Sequence, residues 1–113
     1  MKLVYVAGPY RAETGQERQR NVLRAALRGA TVAKHGGMPV VPHLLTRGLE
    51  GAAAEEFWIR GTMAVLGRCD AVFLVEGWKG SVGSVDEVAE AVRIGIPVFE
   101  DELALARWLH GEV

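Results

Sequence analysis

The chain has a single cysteine, Cys69, among 113 residues. That excludes a disulfide framework within the chain and a metal cluster built on thiolates. It also lacks a charge surplus: thirteen basic residues stand against fourteen acidic ones. Binding along a phosphate backbone draws on a basic surplus, so nucleic acid is not the expected main partner. No apolar run approaches the roughly 20 residues of a membrane helix, and no membrane partner is expected. Met1 to Val6 enters a strand-like pattern at once, without a signal-peptide plan, so the expected location is cytoplasmic. The fingerprints of nucleotide cofactors are missing too. There is no Gly-x-Gly-x-x-Gly after the first apolar run and no phosphate loop ending in Gly-Lys-Ser/Thr. The three histidines show no metal-ligand spacing, so neither a metal nor a cofactor is expected.

What remains is an ordinary globular composition, half hydrophobic, at a length that supports one domain over residues 1–113. Apolar runs at Leu3–Ala7, Met38–Val41, Ala71–Val75 and Ile96–Phe99 read as strands. Between them, helical spacing predicts helices over Glu17–His35, Ala54–Gly67 and Val85–Ile94, with a short closing helix over Asp101–Leu109. The first carries Val22, Leu23, Ala26, Leu27, Ala30 and Ala33 at three- and four-residue steps, and Gly36-Gly37 ends it. In the second, Phe57, Met63 and Leu66 read as core contacts. Pro42-His43 closes the second strand, and a loop follows over Leu44–Ala53. Strands alternating with helices imply an α/β fold: a parallel sheet of four to five strands, covered on both faces. Ligands of such sheets sit beyond the carboxyl ends of the strands, where the strand order reverses.

With strand one central, that crevice is lined by Gly8-Pro9-Tyr10-Arg11 on one side and by Gly77-Trp78-Lys79-Gly80-Ser81-Val82-Gly83-Ser84 on the other. The second loop opens a helix whose N-terminus favours negative charge, and its glycines let a ligand approach the backbone. Each polar residue here has two readings. Glu87 is either the reach-back residue of a capping box begun by Ser84 or a carboxylate facing the crevice as nucleophile or base. Ser81 is a turn residue or a phosphate- or sugar-binding hydroxyl, and Gly83 supplies a backbone conformation other residues resist. Trp78 anchors its loop or stacks on a base. Tyr5 is a core tyrosine or reaches a reacting carboxylate. Arg11 is solvated or pairs with phosphate. Asp70, at the opposite end of strand three, reads as structural, as does the lone His43.

Val4-Tyr5-Val6-Ala7-Gly8-Pro9-Tyr10, Cys69-Asp70-Ala71-Val72, and Gly77-Trp78 followed by Ser81-x-Gly83-x-x-x-Glu87 resemble the nucleoside 2-deoxyribosyltransferase superfamily. That group includes the 2'-deoxynucleoside 5'-phosphate N-hydrolases and small uncharacterised bacterial and phage relatives, which this chain resembles most. The resemblance spans about Lys2 to Phe99. It implies a flavodoxin-like fold and cleavage of the N-glycosidic bond of a 2-deoxyribonucleoside or its 5'-phosphate, with hydrolysis or transfer of the sugar. It implies Glu87 as nucleophile, Tyr5 as the tyrosine contacting it, Ser81 and Gly83 in the sugar or phosphate loop, Gly8 and its followers beneath the ligand, and a homodimer. Where the family has an aspartate that helps the base depart, this chain has Thr62, whose hydroxyl is a poor general acid. Two other readings therefore stay open: a nucleotide-binding module without catalysis, and a phosphoribohydrolase acting on ribonucleotides.

Overall fold

Four strands, β1 (Leu3–Ala7), β2 (Met38–Val40), β3 (Ala71–Leu74) and β4 (Val98–Phe99), pair in the order β2-β1-β3-β4. All three pairings are parallel. The computed structural model describes residues 1–111; Glu112 and Val113, the end of the domain expected from sequence, lie outside the described residues. Among the described residues the α-helices are α1 (Gly15–Lys34), α2 (Pro42–Leu45), α3 (Glu55–Leu66), α4 (Val82–Ile94) and α5 (Glu102–Leu109).

Strand alternation sorts the core into two clusters, one on each face of the sheet. Val4, Val6, Ala71 and Phe73 pack with Ala25 and Val32 of α1 and Leu105 of α5. Tyr5, Ala7, Val72 and Leu74 pack with Leu66 of α3 and Ala91 of α4. The result is the expected three-layer, flavodoxin-like arrangement. No described helix is long and apolar enough to cross a membrane.

Asp70 serves the sheet, as its place at the amino end of β3 suggested. Its carboxylate accepts the Leu3 N–H at 2.7 Å, and its own N–H donates to the Leu3 carbonyl at 2.8 Å. Cys69 is buried and inert: burial, then the charge of Asp70, raises its thiol to about 11.

Two expectations are corrected, both on helix faces. The buried face of α1 is Ala25, Gly29 and Val32, while Leu23 and Leu27 point to solvent. Close approach selects the small residues: a Cβ on Gly29 would lie 2.8 Å from a methyl of Val41. Arg28 of the same helix crosses to the sheet. Its guanidinium stacks 4.1 Å from the Phe73 ring centre and donates to the carbonyls of Leu74 and Glu100. Phe57 is not in the core; it is half exposed on α3.

Candidate active site

The strand order reverses at β1, because the chain leaves it toward β2 on one side and returns to β3 on the other. The loops after β1 and β3 do meet there: a Cβ on Gly77 would lie 3.9 Å from the Pro9 ring. Gly77 has φ 90°, a left-handed conformation that favours glycine and turns the chain out of β3. Gly8 is required by contact, since a Cβ there would lie 2.5 Å from the Val75 side chain.

The helix after this loop begins earlier than its sequence pattern suggests. Ser81, not Ser84, is the N-cap of α4, and its Oγ accepts the Ser84 N–H at 3.3 Å. Ser84 is buried, and its hydroxyl donates to Ser81 Oγ at 3.1 Å. Starting the helix at Val82 moves Glu87 from the first turn into the second. It has no capping work there, and its side chain reaches down to the sheet. The Tyr5 hydroxyl donates to Glu87 Oε2 in a very short contact between residues 82 positions apart. Gly83 lies inside α4 with an ordinary helical backbone, so the special conformation expected of it is absent. A Cβ at Gly83 would meet nothing within 4 Å, so the space before this turn is open.

Burial sets the electrostatics of the pair. It raises the Glu87 carboxyl from 4.5 to about 7; the Tyr5 hydrogen bond opposes the rise and the charge of Asp86 adds to it. Burial, followed by the charge and hydrogen bonding of Glu87, holds the Tyr5 hydroxyl well above the ordinary phenol range. Tyr5 therefore remains a donor throughout the neutral range, and Glu87 gains and loses its proton near neutrality. Thr62, on α3, lies beside the Tyr5 oxygen and partly offsets its rise. Its hydroxyl also donates to the Ile59 carbonyl at 3.1 Å.

The other expected residues fall into two groups. Pro9 and Tyr10 stand at the crevice rim, held by His43. Its Nε2–H donates to the Pro9 carbonyl at 2.9 Å, and its ring meets Tyr10 edge-on at 5.6 Å. Burial lowers the His43 imidazole below its ordinary 6.5, and its Nδ1 has no hydrogen-bond partner among the described residues. Arg11 and Trp78 are engaged elsewhere. Arg11 pairs with Glu55 on the surface. The Trp78 indole donates to Glu100 at 2.8 Å and packs on the α3–α4 side of the core, the anchoring alternative of its two readings.

The sequence reading missed a groove between α2 and α3. It measures about 210 Å³, and its lining includes Leu45, Leu49, Phe57, Trp58, Thr62 and Val65. Thr62 belongs to both the groove and the Tyr5–Glu87 pair, so the two adjoin. The Phe57 and Trp58 rings meet edge-to-face at 5.1 Å. The available signal was Phe57-Trp58-Ile59, three successive large apolar residues spread over about 200° of the helix, too wide an arc for one buried face. Part of the loop expected over Leu44–Ala53 is instead short helix (α2, then a single turn at Glu50–Ala52), which gives the groove its second wall.

No curated protein matches this chain. A family model described as a domain of unknown function (DUF7768) matches residues 2–101, and the chain belongs to that family.

Proposed function

We propose that this protein cleaves the N-glycosidic bond of a nucleoside or nucleoside 5'-monophosphate, with Glu87 as nucleophile. The observation that carries the reading is a carboxyl group buried beyond the loops of the topological switch point, hydrogen-bonded by a tyrosine and tuned to about 7. In its ionised form Glu87 attacks the anomeric carbon. The carbon–nitrogen bond breaks, its electron pair leaves with the base, and the base takes a proton from solvent. Water or a second base then releases the sugar from Glu87, as in a retaining glycosidase. Tyr5 orients the carboxylate oxygen and withdraws charge from it as the ester bond breaks. The groove receives the base. Its volume is below the roughly 300–1,000 Å³ of pockets that bury a drug-sized ligand, so it suits one ring system and not a whole nucleotide. In this reading Ser81, Gly83 and the loop from Gly8 to Tyr10 take the sugar, while Arg11 stays with Glu55.

A base-release assay over ribo- and deoxynucleosides and their 5'-monophosphates tests this. Wild type should liberate free base from at least one of them, and Glu87→Ala should abolish release while keeping the circular dichroism spectrum. Equal turnover in the variant would refute the assignment. One observation favours a second reading, a nucleotide-binding module: the Thr62 hydroxyl is committed to a backbone carbonyl and offers no acid to the departing base. Calorimetric binding of a nucleotide without any base release would select that reading. Faster release from ribose substrates would instead point to a ribohydrolase.

A further inference from the structure

Among the described residues, the donors around the α2–α3 groove are already engaged. The Thr62 hydroxyl donates to the Ile59 carbonyl at 3.1 Å, and the Trp58 indole donates to the Glu50 carbonyl at 3.2 Å. The Tyr5 hydroxyl donates to Glu87, and burial keeps its proton in place. His43, on α2, gives its Nε2–H to the Pro9 carbonyl at 2.9 Å, and burial favours its neutral form. The rest of the groove lining is apolar apart from Thr46, whose hydroxyl is a poor acid at neutral pH.

Two features favour positive charge in the same place. Phe57 and Trp58 bring two aromatic rings to the groove, and such a ring attracts a cation within about 6 Å of its centre. Beyond Thr62 stands the Tyr5–Glu87 pair, whose carboxylate is little screened where it is buried. A neutral purine or pyrimidine leaves its sugar as an anion unless a proton reaches it, and a positioned acid is worth about 10²–10⁴-fold. A base with a fixed positive charge on its ring leaves as a neutral molecule and takes no proton.

We propose that the substrate is an N-glycoside of a cationic base, a pyridinium or an N-alkylated purine, seated in the α2–α3 groove with its anomeric carbon at Glu87. The proposal rests on the N-glycosidase reading and names the class of substrate for that site. A Glu87 oxygen bonds to the anomeric carbon. The carbon–nitrogen bond breaks, and its electron pair returns to the ring nitrogen and cancels the charge. Water then adds to the anomeric carbon, the ester bond returns its pair to Glu87, and the water's proton goes to solvent. The engaged Thr62 hydroxyl, which leaves a neutral base without an acid, withholds nothing that a cationic base needs.

Base release by the full chain is measured on pairs that differ in charge: nicotinamide riboside against its dihydro form, and 7-methylguanosine against guanosine, each also as the 5'-monophosphate. After subtraction of the uncatalysed rate, kcat/KM for the cationic member of at least one pair should be about a hundredfold higher or more, and Glu87→Ala should abolish its cleavage. The pair that responds tells a pyridinium from an alkylated purine. Phe57→Leu keeps an apolar side chain and removes the ring. It should raise KM about fivefold for the cation and leave unchanged the inhibition constant of the neutral partner as a competing ligand. Comparable cleavage of neutral and cationic partners, or an equal effect of Phe57→Leu on both, would overturn the proposal and leave Glu87 standing as nucleophile. No release from any of these substrates, or release that survives Glu87→Ala, would overturn it together with the N-glycosidase reading.

Discussion

Replacing Glu87 by glutamine should stabilise this protein at alkaline pH and leave its stability near wild type in acid. Burial raises the Glu87 carboxyl from 4.5 to about 7, so the folded chain holds a proton that the unfolded chain has already lost. The stabilisation from that proton is complete below pH 4.5. It fades as pH rises and is gone above about 7, where folding buries a charge. At about 1.4 kcal/mol per pH unit, the interval amounts to about 3 kcal/mol at pH 8. Glutamine removes the ionisation but keeps an oxygen that accepts the Tyr5 hydroxyl. Urea unfolding of both proteins at pH 4 and pH 8 isolates the effect, since any fixed cost of the new hydrogen bond cancels in the difference. Glu87→Gln should gain about 3 kcal/mol over wild type on going from pH 4 to pH 8, or roughly 10 °C in midpoint at pH 8. A gain below about 1 kcal/mol would show that the carboxyl is not desolvated as argued, and the tuned nucleophile would fall with it.

The other predictions concern the neighbours of this pair. Tyr5→Phe removes the hydrogen bond that holds the Glu87 value down. The acidic limb of kcat/KM should therefore move above pH 7 with a loss of turnover of about a hundredfold, and a pH–rate profile with an unmoved limb would refute it. Gly8→Ala should cost about 1–3 kcal/mol in urea unfolding, because its Cβ has no room beside Val75, and adding Val75→Ala should recover part of that loss. Phe57→Ser should change stability by no more than about 0.5 kcal/mol, unlike a core phenylalanine at about 3–5 kcal/mol, while raising KM for any substrate whose base enters the groove.

The architecture was legible because it rests on signals that are local and repeated. Each strand is a continuous apolar run and each main helix a periodic one, so their alternation led directly to a parallel three-layer sheet. Asp70 could be assigned from its end of β3 alone. The helix faces were harder to read. Periodicity marks every apolar residue of α1, but it does not weigh the close approach of Gly29 to Val41, which turns Leu23 and Leu27 outward. On α3 it likewise failed to separate a core phenylalanine from one that lines a groove. His43 had no motif at all, because its partner is a backbone carbonyl 34 positions away.

Ser81 and Ser84 show why the centre of the site was the least legible part. Both serines can cap a helix, and with Ser84 as cap, Glu87 three residues later completes a capping box that satisfies two backbone donors locally. With Ser81 as cap, the helix gains one turn and Glu87 loses that local role. The local code favours the first choice, because the second leaves a carboxyl to be buried at a cost. What decides between them is Tyr5, a hydrogen-bond donor on the central strand that no local pattern links to position 87. A fold selected for stability alone would take the capping box and leave the tyrosine to another partner. This chain instead starts its helix early, buries Ser84 against Ser81, and places a buried ionisable group against Tyr5 of the central strand. Local rules are most often broken where function needs the residue for something else, and a stability penalty that grows with pH is the thermodynamic mark such a choice leaves.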